Sequence, residues 1–530
     1  MKTHLTAPEL VTLASMLFGL FFGAGNLIFP LILGAAAGQD LGTAMAGMIV
    51  SAVGLPLMGI VAIGVSRSEG LFDLASKVSK RYAFFFTCAL YLTIGPLFAI
   101  PRCAATSFSI ALPQFAGQGM LPQALFSLAF FLLVLFFSLK PTKLMDVLGK
   151  FLNPFFLVLL GIILVTALVN PIQAVSSVPV SGAYADGAFF AGFLQGYDTL
   201  DALASLAFGI IVVQSIRSKD VTDPAAVGAN TVRAGAFAMT GMALIYIAIA
   251  VVGAQSYGLY ADRLAEASFT GGDAFAIIAA HYFGGPGQIL LGATVTLCCL
   301  KTAIGLVTSC SEAFVDMLPF KISYKAYAIA FTVVSFVISN VGLAQIISLS
   351  APVLYFLYPL AIVLILLGLF NKFVKDKPSV YRWTIGLTVV AAVADFIRTS
   401  GIAGLKPVVD FIAGWLPFYT MGLGWIAPAA IGLVIGLARS RKASLFERAS
   451  VLARACLRKR DNIHRTAAPT HRLLQLTSLR CRACAPPTPH SQRGRTDTIH
   501  SLAAQVSTGY RPTRTPPPHQ ETRRGPSLIL

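Results

Sequence analysis

An all-α membrane protein of twelve spanning helices, two of them discontinuous, is the fold class predicted by this 530-residue sequence. Three observations predict it. Hydrophobic residues make up 56% of the chain and charged residues only 12%, whereas a soluble domain carries about 25% charged residues. Spanning a bilayer core of about 30 Å takes roughly 20 apolar residues. Such stretches are centred near residues 22, 53, 95, 130, 160, 203, 244, 302, 333, 359, 390 and 425. Lys and Arg then alternate between the connections: 17 lie in the N-terminus or after even-numbered stretches, and three (Arg263, Arg398, Lys406) lie in the others. That bias places both termini in the cytoplasm.

The first stretch carries a break. Met16 to Phe22 is apolar, Gly23-Ala24-Gly25-Asn26 interrupts it, and Leu27-Ile28-Phe29-Pro30 resumes it. Unwound backbone at bilayer depth is tolerated only where protein buries it or it lines a cavity, so the segment reads as a discontinuous helix. A glycine-rich contact between two continuous helices is the alternative. The stretch has no Ala-x-Ala-like exit, so no cleaved signal peptide is expected. The second stretch (about 42–64) contains Gly54 and Pro56. The third (about 82–111) carries Gly95, Pro96 and Pro101 and should kink there.

The sixth stretch repeats the first in kind, with Gly196-Tyr197-Asp198-Thr199-Leu200-Asp201-Ala202 as a polar interruption. Interruptions five helices apart fit a five-plus-five repeat. Because five is odd, the second copy enters inverted, and paired interruptions of this kind mark a transporter's binding site. Residues 1–438 form this membrane domain, with 22 Lys and Arg against 18 Asp and Glu.

Residues 439–530 differ, with 18 basic residues against 4 acidic ones, Arg outnumbering Lys 16 to 2, and five of the seven His. A disordered basic tail is expected there. The Arg bias suggests a frameshift or read-through extension; a basic arm on anionic lipid and a zinc site at Cys481 and Cys484 are other readings, though one Cys-x-x-Cys is a weak signal. Cys88, Cys103, Cys298, Cys299 and Cys310 lie in apolar stretches and read as packing residues.

Several residues carry chemistry. Opening the chain at Gly23, Ala24 and Gly25 would expose amide N–H groups suited to a carboxylate, while carbonyls ending the preceding half-helix suit a cation. Asn26 offers a neutral oxygen to either. Tyr197, Asp198, Thr199 and Asp201 are the polar set of the sixth stretch, and an intramembrane acid is functional by default. Lys301, central in an apolar run, faces protein or water and either replaces a bound cation or takes part in proton coupling. Arg102 follows Pro101, at the outer interface or in a structural role. No phosphate loop, zinc-protease motif or nucleophile elbow is present, so an enzyme reading has little support, and nothing points to nucleic acid or an organic cofactor. A passive channel would need charge rings or a repeated filter, and a nutrient sensor would need a folded output domain. Neither signature is present.

Phe22-Gly23-Ala24-Gly25-Asn26-Leu27-Ile28-Phe29-Pro30 resembles a motif of the bacterial branched-chain amino acid carriers, the LIVCS family. Segments 95–102, 196–202, 299–306 and 339–343 match the family's other signatures in order, and the resemblance covers about residues 8–438. It implies a twelve-helix carrier of leucine, isoleucine and valine in the bacterial inner membrane, with a LeuT-like core and two extra helices, driven by Na⁺ or H⁺. By similarity to LeuT-like carriers, the amides of Ala24 and Gly25 would hold the substrate carboxylate, and segment 197–202 the amino group and side chain. The pocket would lie between helices one, three, six and eight, with Phe98 contributed by the third. Gly19 and Phe22 carbonyls with the Thr302 hydroxyl would hold Na⁺. Asp198 and Leu200 depart from the family pattern, and Lys301 beside the cation site keeps H⁺ coupling open as the alternative. Oligomeric state is not legible from the chain.

Overall fold

Helices account for the regular structure of the described residues, and no strand occurs among them. The structure, a computed structural model, describes residues 4–441 apart from 67, 69, 112–118, 140–143, 222, 320, 321, 375, 402 and 420. The expected tail lies, from 442 onward, outside the described residues, as do Cys481 and Cys484.

Helix α1 (Ala7–Phe21) opens on Thr6, whose N–H and hydroxyl both bond the Glu9 carboxylate at 2.8 Å, closing the first turn. Phe22 and Gly23 separate it from α2 (Ala24–Ala37). Next come α3 (Leu41–Ile49) and α4 (Leu55–Val65), joined by a π turn at Val50–Gly54. Pro56 has no N–H to give back to the preceding turn, and the ladder widens there. A second π turn, Thr93–Leu97, separates α5 (Lys80–Leu92) from α6 (Ala99–Ala111). Gly95 leaves helical geometry at φ −102°, ψ −122°, so the kink expected of the third stretch falls beside Pro96. Pro101 sits in the first turn of α6, where a missing N–H costs little.

The order continues with α7 (Met120–Ser138), α8 (Leu144–Val169), α9 (Ala183–Gln195), α10 (Asp201–Arg217) and α11 (Pro224–Gln255). Then follow α12 (Gly271–Met317), bent at Gly284 with φ +64°, α13 (Tyr324–Ser339), α14 (Leu343–Leu369), α15 (Pro378–Thr399) and α16 (residues 426–441). Among the described residues, seven helical runs are long and apolar enough to cross a membrane, and Ala7–Phe21, Pro154–Val169 and Tyr324–Ser339 are shorter apolar helices. Leu121, Leu125, Leu132 and Phe136 of α7 lie exposed, with Val158, Ile162 and Val165 of α8. In a bilayer such faces meet lipid.

Glycines set the closest helix contacts. Gly34 of α2 lies against the Ala250 carbonyl of α11, and Gly253 of α11 against the Leu31 carbonyl of α2. Gly47 of α3 meets the Phe189 carbonyl of α9, and Gly192 of α9 meets the Ala44 carbonyl. Without a hydrophobic drive between helices in lipid, small residues that let backbones touch supply the association. These pairs fix α2 on α11 and α3 on α9. Together with α6 against α12 and α10 against α4, they bring the two breaks to a common centre.

Candidate substrate and ion site

The break in the first stretch is shorter than expected, because Ala24, Gly25 and Asn26 already form the first turn of α2; only Phe22 and Gly23 are extended. Asn26 explains the early restart. Its Oδ1 accepts the Gly23 N–H at 2.8 Å, the bond that the third helical residue makes back to the N-cap in a capping box. That N–H therefore turns away from the Gly19 carbonyl. The first-turn N–H groups of α2 remain available at the positive end of the helix dipole.

The second break is a 3₁₀ turn, Gly196–Thr199, followed by Leu200 in the left-handed region at φ 67°, ψ 3°. A left-handed leucine costs roughly 1–2 kcal/mol, and surrounding contacts must hold it. Thr199 donates to the Gly196 carbonyl at 2.9 Å and receives the Asp201 N–H at 3.4 Å. Helix α10 then begins at Asp201.

The two breaks are joined by side chains. Asn26 Nδ2 donates to Asp201 Oδ2 at 2.7 Å and also to the Tyr246 hydroxyl, which itself donates to Asp201 Oδ2 at 3.0 Å. Asn26, Asp201 and Tyr246 are 2%, 3% and 0% exposed, so α2, α10 and α11 meet in a closed triangle of hydrogen bonds. Arg102 of α6, 3% exposed, donates through Nη1 to the Asp198 carbonyl at 2.7 Å and stacks over Phe29 at 5.1 Å. The Asp198 carboxylate accepts Gln195 Nε2 at 3.2 Å.

A cavity of about 40 Å³ opens between the breaks. It has room for a few waters and is tight for an amino acid. Gly23, Ala24, Gly25, Asn26, Thr199, Asp201 and Thr302 line it, with Leu20, Phe21, Ala204, Phe208 and Leu306 as its apolar wall. Two residues expected to bind substrate do not line it, nor do Gly19, Phe22 and Lys301 of the expected cation set. Tyr197 is turned by the 3₁₀ segment onto Tyr358 of α14, stacked at 3.9 Å. Phe98 ends the second π turn, and the third stretch presents Ile94, Ala99, Arg102 and Cys103 instead.

Among the residues expected to hold a cation, the Phe22 carbonyl accepts the Cys298 thiol at 3.8 Å, and Thr302 donates to the Cys298 carbonyl at 3.2 Å. A Cβ at Gly23 would stand 3.4 Å from the Thr302 methyl and 3.6 Å from its hydroxyl, so α12 presents the Thr302 side chain to the break. Gly19 is buried in the last turns of α1. Lys301 is half-buried on the same helix and does not line the cavity. Among the described residues no group of three or more His, Cys, Asp or Glu is placed to hold a metal.

Sequence reasoning missed Tyr246 and left Arg102 undecided. Tyr246 sits in an apolar run, Ala243-Leu244-Ile245-Tyr246-Ile247, and nothing local sets it apart from an interfacial aromatic. Arg102 carried a signal in its intramembrane charge.

Two helices broken at one buried centre, with polar groups turned into a small cavity, are the arrangement of a membrane transporter. Solved structures share the fold. Mhp1, a nucleobase-cation-symport-1 family transporter, aligns with a TM-score of 0.54 at 16% identity, covering 82% of this chain and 93% of its own. MhsT, solved in complex with L-phenylalanine, aligns with a TM-score of 0.50 at 14% identity over 83% and 98%. Residues 6–443 match the family described as branched-chain amino acid transport protein, and the chain belongs to it. It is 46% identical to the branched-chain amino acid permease BrnQ of Lactobacillus delbrueckii subsp. lactis, over 81% of this chain and 96% of that protein. It is 40% identical to permease BraB of Bacillus subtilis, over 82% and 96%. It is 38% identical to the branched-chain amino acid transport system 2 carrier protein of Pseudomonas aeruginosa, over 83% and 98%. The chain is therefore a multi-pass membrane transporter rather than an enzyme.

Proposed function

We propose that the protein imports leucine, isoleucine and valine across the bacterial inner membrane by cation symport, with Na⁺ as the coupling ion. The observation that carries this reading is the break at Phe22–Gly23, which offers two opposite charges of backbone within one turn. Amides of Ala24 and Gly25 suit a carboxylate; carbonyls of Gly19 and Phe22, with the Thr302 hydroxyl, suit Na⁺. Asp201 and Thr199, across the cavity, suit the ammonium group. Leu20, Phe21, Ala204, Phe208 and Leu306 suit an aliphatic side chain. A methylene more or less in such a wall changes affinity only about 10- to 200-fold, which agrees with one carrier taking all three substrates.

The same reading has twelve spans in a five-plus-five inverted repeat with two added helices, both termini cytoplasmic and lipid around the outside. Transport is a rocking of one repeat about the paired breaks, and the tight cavity opens as they part. Lys301, beside Thr302 on α12, favours a second reading in which H⁺ replaces Na⁺.

Uptake of labelled leucine into proteoliposomes, with Na⁺ and pH gradients imposed separately, tests both. Accumulation under an inward Na⁺ gradient alone supports the first reading. Accumulation under a pH gradient alone transfers the coupling to H⁺, and accumulation under neither removes symport.

A further inference from the structure

We propose that Arg102 is a substrate-binding residue that takes the carboxylate of the transported amino acid. This rests on the reading above that the cargo is an α-amino acid. Arg102 stands in the first turn of α6, just past the break at Gly95, and its side chain lines the cavity. Nη1 is spent on the Asp198 carbonyl. Nη2 points the other way, since a Cβ on Gly25 would lie 3.1 Å from it. A guanidinium has five N–H donors in a rigid fork that matches a carboxylate, and the bond to Asp198 goes to a neutral carbonyl oxygen.

Asp198 and Asp201 lie close enough for their charges to act on the guanidinium, but neither carboxylate is hydrogen-bonded to it. The Asp198 carboxylate accepts Gln195 Nε2, and Asp201 Oδ2 accepts Asn26 and Tyr246. Among the described residues no carboxylate stands within ion-pair distance of Arg102.

The N–H groups of Nη2 then suit an anion. The guanidinium faces the N-terminal turn of α2, whose dipole is positive at that end. Two positive groups face each other in a space from which water is nearly excluded, and each favours the same occupant. A carboxylate between Arg102 Nη2 and the Ala24 and Gly25 amides satisfies both. Asp201, hydrogen-bonded to Asn26 and lining the same cavity, suits the ammonium group of the same ligand. Beyond Arg102, Phe29 and Gln195 line a second cavity of about 240 Å³. A carboxylate on Nη2 while Nη1 holds the Asp198 carbonyl ties α2 to the second break.

Equilibrium binding of leucine and of leucinamide, which lacks the carboxylate, tests the proposal on the purified full-length protein. The wild type should prefer leucine at least about 10-fold. Arg102→Gln should weaken leucine binding by about 10- to 100-fold and leave leucinamide unchanged, so that the preference collapses. A preference that survives in a folded Arg102→Gln protein overturns the proposal, as does equal affinity for the two ligands in the wild type. Should the Gln variant fail to fold, Arg102→Lys keeps the charge and loses the fork; its preference should fall, and an unchanged preference overturns the proposal. A wild type that binds neither ligand overturns the amino acid reading itself, which separates the two failures.

Discussion

At the scale of single residues, Tyr246 is the member of the buried polar triangle least visible in the sequence. Its hydroxyl completes the triangle with Asn26 and Asp201, and a buried carboxylate that loses one donor is left under-solvated by about 1–3 kcal/mol. Tyr246→Phe should therefore lower the thermal midpoint of the detergent-solubilised protein by a few degrees and raise the leucine KM several-fold. An unchanged midpoint and KM would remove the triangle from the mechanism. The residues that could be read from the chain are those that violate their surroundings. Asp201, Asn26, Gly23 and Gly25 are costly or unusual in an apolar run, and all four line the cavity. Tyr246 violates nothing locally, because a tyrosine among aliphatic residues satisfies the bilayer rules in many places. Tyr197 erred the other way: it belongs to a polar segment, yet its ring packs against Tyr358.

At the scale of elements, the breaks were legible as to place and less so as to extent. Gly, Pro and polar clusters announce that a helix cannot continue, but where it resumes depends on a cap. Here the cap is the Asn26 side chain reaching back to Gly23, which shortens the expected gap to two residues. In the second break, one left-handed Leu200 does what a glycine would do more cheaply. Helix pairing was not legible, because α2 meets α11 across more than 200 residues of sequence. The contact is made by Gly34 and Gly253 against opposing carbonyls. A methyl group at Gly34 would enter the Ala250 backbone, which no side-chain rotation relieves. Gly34→Ala should destabilise the protein by about 1–3 kcal/mol and reduce uptake. Gly42, in the first turn of α3, has nothing within 4 Å of its Cβ position, so Gly42→Ala should leave stability equal or slightly raised. Paired thermal melts check both, and equal behaviour of the two variants would deny that α2 and α11 touch through their backbones.

For the whole molecule, the proposed symport makes one break serve two ligands. Carbonyls at the end of α1 and amides at the start of α2 are separated by two residues, so a cation and a carboxylate bound there lie close and attract across a poorly hydrated space. Each then strengthens the other, and linkage requires the two effects to be equal: the factor by which Na⁺ tightens leucine binding is the factor by which leucine tightens Na⁺ binding. Couplings of this kind are typically 5- to 150-fold. Thr302 is the side-chain ligand proposed for the cation, while its backbone neighbours belong to the helix. Thr302→Ala should thus reduce both factors toward one while leaving leucine affinity without Na⁺ close to that of the wild type. Titration of leucine at several Na⁺ concentrations, and of Na⁺ at several leucine concentrations, measures each side of the cycle independently. Leucine affinity that ignores Na⁺ but shifts with pH, and loses that shift in Lys301→Met, would place the coupling on a proton and on Lys301 instead.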